Sequence, residues 1–258
     1  MADAVRFERD GAVGVVTIDS PPLNLFDDDV FDGLTAALDQ AAGESPRALL
    51  VRAEGDVFTG GVDVHVFEGK SVEEAAELFG DLVALAHRFE DLPFPTLASV
   101  HGLCLTAGFE LTLACDMIWA AESARFGLVE TVVGLTPGMG GTQRLVERAG
   151  PARARELVMT GGLYDPVTLE RWNVVNRVVP DSDLAEKAMR FAQRLAAGPT
   201  VAHAATKRMA RTASEHGVRA ADDAVRDIVA PLFGTEDLQN AVRSFLNEGP
   251  GKATFEGR

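Results

Sequence analysis

The stretch PTLASVHGLCLTAGFELTLACD, residues 95–116, decides how this chain is read. Its first half, TLASVHG (96–102), has the short apolar pattern of a strand released by Pro95. Its second half, TAGFELTLACD, predicts a helix from about Thr106, and DMIWAAE (116–122) predicts a further strand. One carboxylate, Glu110, sits in the helix among Leu111, Leu113, Ala114 and Cys115. A glutamate in such surroundings is costly unless it is paired or used. Strand, small-residue turn, helix and strand describe an α/β unit with a chemical group at its turn.

Outward from this stretch the α/β pattern repeats. VRFERDGAVGVVTIDSPP (5–22) alternates around Asp10-Gly11, a hairpin signal. DDDVFDGLTAALDQAAGE (27–44) predicts a helix with acids in its first turn, where the helix dipole favours them. RALLVRAE (47–54) predicts a strand buried on both faces, and GDVFTGGVDVHVFEG (55–69) a glycine-punctuated loop. SVEEAAELFGDLVALAHRFEDL (71–92) opens with capping-box spacing and is stopped by Pro93 and Pro95. GMGGTQRLVERAG (138–150) predicts a helix with Gly150 as its C-cap. From about residue 182 the pattern is helical, in four segments near 182–197, 200–213, 217–231 and 235–247. The expected organisation is an α/β core over 1–195 and a helical region over 196–258.

Composition narrows the function. The chain has 258 residues, 47% of them hydrophobic, enough for a sizeable core. A net charge of −15 opposes nonspecific nucleic-acid binding, and the basic clusters at 142–156 and 206–212 read as solvated helix surface. There is no uncharged apolar run of membrane-spanning length and no signal-peptide pattern at the N-terminus, so no membrane partner is expected. Cys104 and Cys115 lie in apolar context, as buried free thiols of a cytoplasmic protein do. G-x-S-x-G and a P-loop are absent, GMGGTQ fails the dinucleotide fingerprint at Gln143, and the five histidines have no metal-ligand spacing. No metal or cofactor is expected.

Three features remain. FTGGVDV (58–64) follows a buried strand, and its paired glycines can turn backbone N–H groups toward a ligand. TAGFE (106–110) places the Ala107 amide among the unsatisfied donors of a helix start, with Glu110 three residues on and so on the same face. FGLVETVVGLTPG (126–138) puts a second carboxyl group, Glu130, among Leu128, Val129, Val132 and Val133. Burial and mutual repulsion raise the pKa of at least one such glutamate toward neutrality, the condition for acid–base work. Two amides converging on one oxygen stabilise an enolate. Together these describe proton chemistry beside a thioester carbonyl.

The blocks ALLVRAEGDVFTGGVD, PTLASVHGLCLTAGFELTLACD, ARFGLVETVVGLTPGMGGTQRL and NVVNRVVP, in this order, resemble the crotonase superfamily, most closely the enoyl-CoA hydratases. The resemblance implies a crotonase-like α/β spiral of ββα turns with a helical C-terminal trimerisation region. It implies a homotrimer or dimer of trimers and an acyl-CoA thioester substrate whose coenzyme A is part of the substrate. Its oxyanion-hole positions fall on Val62 and Ala107, and its two hydratase glutamates on Glu110 and Glu130. Gly60, Gly61, Asp63, Val64 and His65 would line the CoA side. Several residues depart from the family pattern. Ala107 stands where Gly is common, Val62 where Ala is frequent, Val129 where Pro often precedes the second glutamate, and Asn173 where Gly is usual. NEGPGK leaves Lys252 as the candidate contact for a CoA phosphate. Three activities stay open on the sequence: hydration of a trans-2-enoyl-CoA by both glutamates, double-bond isomerisation by one, and a non-catalytic or RNA-binding role.

Overall fold

The computed structural model describes residues 4–258. β1 (Val5–Asp10) and β2 (Val13–Ile18) form the expected hairpin, with Asp10 opposite Val13 and Gly11 at a φ of 59° in the turn. α1 (Asp28–Glu44) is capped by Asp27, whose carboxylate accepts from the Val30 amide at 2.9 Å. β3 (Ala48–Ala53) pairs parallel with β2. α2 (Val72–Asp91) carries the capping box, Ser71 and Glu74 each bonding the other's backbone amide. β4 (Thr96–Val100), β5 (Leu103–Leu105), α3 (Thr106–Ala114), β6 (Met117–Ala121) and β7 (Arg125–Gly127) follow. Then come α4 (Gly141–Thr160), α5 (Pro166–Arg171), β8 (Arg177–Val179), α6 (Leu184–Ala196), α7 (Thr200–His216), α8 (Val218–Val229) and α9 (Glu236–Glu248).

The main sheet has the order β1-β2-β3-β4-β6-β8, parallel except for β1. A second layer runs beside it. There β5 pairs with β7, and single bridges join Phe26 to Val62, Thr59 to Cys104 and Phe126 to Tyr164. Four of the six main strands thus feed a short extended segment and then a helix: β2, Phe26, α1; β3, Thr59–Val62, α2; β4, β5, α3; β6, β7, α4. This is the expected α/β spiral of ββα turns. The turn from second-layer strand to helix recurs once per repeat, so the loops at 60–67, 106–107 and 128–138 are stacked neighbours.

The main sheet is buried on both faces with a period of two. Leu49 and Val51 of β3 join the cluster under α1, α2 and α3, which holds Phe26, Phe58, Phe89 and Phe109. Ala48 and Leu50 face the other way, toward Leu184, Ala188 and Ala192 of α6. Truncating one such leucine to alanine costs about 2–5 kcal/mol. Cys104 and Cys115 are free and buried, as expected. Arg47 ties the C-terminal region to the start of β3, donating to Gly198 O (2.7 Å), Phe255 O (2.8 Å) and Thr200 Oγ1 (3.0 Å). No helix among the described residues is long and apolar enough to cross a membrane.

One boundary needs correction. The expected helix over 138–150 begins at Gly141, and Gly150 does not end the helical stretch. Gly150 breaks the path at φ 80°, ψ 164°, and Pro151 at once starts a second segment that runs to Thr160. Proline is preorganised for a first helical turn and has no N–H to leave unsatisfied there, so a stop signal and a start signal are adjacent.

Candidate active site

A cavity of about 240 Å³ opens where the three stacked loops meet. Glu110, Glu130, Val62, Ala107, Gly60 and Val64 all line it. The remaining expected positions do not. Gly61, at φ 112°, donates its N–H to Thr59 Oγ1 (2.9 Å), while its carbonyl accepts from the Phe26 amide (2.9 Å). Asp63 caps the short helical turn 64–67 by accepting from the His65 amide at 3.0 Å, and the His65 side chain is exposed. The His65 backbone amide, and then its imidazole, hold the Asp63 carboxyl below its ordinary value, and the Asp63 carboxylate pushes His65 up. Lys252 is exposed.

Glu110 is placed by α3, the most deeply buried helix, in which every residue from Ala107 to Ala114 is buried. Phe109 points into the core, its ring centroid 5.1 Å from that of Phe126. Gly108 lets the helix press on Thr59, whose Cγ2 lies only 2.0 Å from where a Cβ would stand. With those two positions fixed inward, Ala107 and Glu110 turn to the cavity together. Glu110 is 3% exposed, and its Oε1 accepts from the amides of Gly141 (2.7 Å) and Met139 (2.9 Å). Its carboxylate therefore lies on the N-terminus of α4, where the dipole favours negative charge. Burial still pushes its pKa up, against the lowering by those two amides and by the Arg144 charge.

Arg144 braces that loop. Its guanidinium, 7% exposed, donates to the carbonyls of Gly140 (3.1 Å) and Met139 (3.3 Å) and pairs with Glu90 (2.8 Å). The carbonyls are held back and the amides beside them face Glu110. Neither Arg144 nor these amides figured among the expected site groups. Their contribution depends on the chain doubling back 29–31 residues beyond Glu110.

Glu130 opens the short helical turn 130–133, which also puts Val132 and Val133 on the cavity wall. Both its carboxyl oxygens are buried without a hydrogen-bond partner. Burial raises its pKa to about 7, and the nearby Glu110 charge adds to the rise. Across the cavity Phe67, Phe79 and Leu82 complete an apolar wall. Such a wall suits an acyl chain, with the two carboxyl groups as the polar exceptions.

The two amides expected to bind an oxyanion differ. Ala107 is in the first turn of α3, where an amide has no carbonyl four residues back to bond. The Val62 amide is engaged, donating to Thr106 Oγ1 at 2.8 Å. The sequence reading gave Thr106 no role.

The family model described as enoyl-CoA hydratase/isomerase matches residues 8–258. The crotonyl-CoA hydratase of Syntrophomonas wolfei is 31% identical over 262 residues, covering 97% of each chain. The carnitinyl-CoA dehydratase of Salmonella typhimurium is 34% identical over 217 residues, 83% of each. Among solved structures, enoyl-CoA hydratase subunit I of Geobacillus kaustophilus superposes with a TM-score of 0.92 at 31% identity, covering 99% of this chain and 98% of that one.

Proposed function

The chain belongs to the enoyl-CoA hydratase/isomerase family, and from that premise we propose that it hydrates a trans-2-enoyl-CoA to a 3-hydroxyacyl-CoA. The observation that carries the proposal is the unlike state of two carboxyl groups on one cavity. Glu110 accepts two amide hydrogen bonds, which suit a carboxylate. Glu130 has no donor to meet and a pKa of about 7, which suits a carboxylic acid with a proton to give.

Glu110 holds a water molecule and takes one of its protons as the oxygen bonds to C3. The C2–C3 π electrons move toward the thioester, and negative charge gathers on its oxygen. The backbone donor at Ala107, with the Val62–Thr106 pair beside it, stabilises that charge. The Glu130 proton goes to C2. Water and proton reach the same face, so the addition is syn. Glu110 is left protonated and Glu130 ionised, and exchange with solvent restores both. The scheme moves protons only, and the coenzyme A belongs to the substrate.

An activity screen over trans-2-enoyl-CoA thioesters, read by loss of the conjugated absorbance with chelator present, tests the assignment. Hydration of at least one chain length is expected. Isomerisation of a 3-enoyl-CoA with no hydration at any length would assign the single-glutamate alternative instead. We also propose a homotrimer or a dimer of trimers. Val218, Val225, Phe233, Val242, Phe245 and Leu246, on and between α8 and α9, leave an apolar face in water. Light scattering at micromolar concentration is expected to give three or six chain masses, and a monomer would contradict the assembly.

A further inference from the structure

We propose that the Thr106 hydroxyl is itself an oxyanion donor, carrying the polarisation of the Val62 amide one bond further into the cavity. The inference rests on the acyl-CoA reading of the site and adds a catalytic group to it. Thr106 Oγ1 accepts from the Val62 N–H at 2.8 Å, so the amide does not face a ligand directly. Thr106 lines the cavity beside Ala107. A hydroxyl has one proton and two lone pairs. Here a lone pair is engaged by Val62, and the O–H is left to donate toward the cavity.

Two local features hold the hydroxyl there. Thr106 has a φ of 46°, a left-handed conformation that β-branched residues rarely adopt. Gly61 leaves room for it, since a Cβ at that position would stand 2.7 Å from Thr106 Oγ1. A strained threonine and a neighbouring glycine thus together seat one oxygen on one amide. An oxyanion forming on the thioester would meet the Ala107 N–H and the Thr106 O–H. The second of these is strengthened because Val62 donates to its oxygen, as hydrogen bonds in a chain polarise one another. The alternative arrangement is a plug, with Thr106 covering the Val62 amide and turning away to release it.

The two arrangements predict opposite effects of removing the hydroxyl. With a relay, Thr106→Ala and Thr106→Val each lower kcat by about 10²–10³-fold, the usual cost of one oxyanion donor, with KM little changed. Thr106→Ser restores the hydroxyl and keeps most of the parent rate. With a plug, Thr106→Ala uncovers the amide and is as fast as the parent or faster, which would overturn the proposal. Thermal melts establish first that the variants fold, and valine matches threonine in shape should alanine disturb the turn. A second readout needs no turnover. A conjugated aromatic enoyl-CoA bound to the parent should absorb at longer wavelength than in water, and the shift should persist in Thr106→Ser and shrink in Thr106→Ala. A shift of equal size in Thr106→Ala overturns the relay. A parent that shows a Thr106-dependent shift but hydrates no chain length overturns the hydratase assignment and leaves the relay standing.

Discussion

Glu110 and Glu130 reach one cavity from unlike regions. The junction of α3 with α4 is dense: Glu110 is 3% exposed, bonded to two amides, and backed by a loop that Arg144 holds in place. The turn at 130–133 is a single short helical turn with exposed valines, and it offers Glu130 no donor. Burial raises both carboxyl groups, yet only the first region answers with hydrogen bonds. On the proposed mechanism, two identical side chains thereby serve as a base and an acid. The division of labour lies in what the neighbouring backbone provides, since the residue type is the same.

The largest expected effects remove one side of that contrast. Glu110→Gln and Glu130→Gln should each lower kcat by about 10²–10⁴-fold while leaving thioester binding largely intact, because Gln keeps the shape but not the exchangeable proton. The double variant should fall little below the worse single one, since both groups serve one addition. Steady-state kinetics with calorimetric binding reads all three, and a fully additive double loss would break the picture of paired roles.

A smaller effect should follow from disturbing the rigid region without touching either carboxyl. A Cβ at Gly141 would stand 2.6 Å from Glu110 Cγ and 3.0 Å from its Oε1. Gly141→Ala should therefore displace the carboxylate from its amides and lower kcat by about 10-fold or more, as small misplacements of catalytic groups do. Its activity equal to the parent's would show that the amides at 139 and 141 do not position Glu110.

The sequence carried much of this and missed some of it for definite reasons. Glu110 stood out because it interrupts an apolar run, and Ala107 fell beside it through helical spacing alone. The main strands other than the three-residue β8, and the C-terminal helices, were legible from their periods. β5 and β7 have three residues each, too few for any period to show. The second half of α4 was hidden behind Gly150-Pro151, where a stop is followed at once by a start. Thr106 was hidden for a different reason: its hydroxyl meets an amide 44 positions away. The expectation that backbone around Asp63 and His65 lines the CoA side came from resemblance; in the structure the Asp63 side chain caps the 64–67 turn and the His65 side chain is exposed.

The smallest expected effect is on stability. An ordinary glutamate value is 4.5, and Glu130 in the fold is raised to about 7. Between those values the folded chain holds a proton that the unfolded chain has released, so stability falls as pH rises through that window. Glu130→Gln removes this share. The variant should melt above the parent at about pH 8, with the gap closing as pH falls through the window and vanishing near pH 4, at matched protein concentration. A gap of the opposite sign would mean that Glu130 is stabilised as a carboxylate.

The pH dependence of kcat/KM for hydration, measured on the parent and on Glu130→Gln, tests the division of roles most directly. The parent should lose activity above about pH 7 as Glu130 gives up its proton, and the residual rate of Glu130→Gln should lack that fall. A parent rate that stays level well above neutrality, or a Glu130→Gln variant that keeps the same falling limb, would contradict Glu130 as the acid.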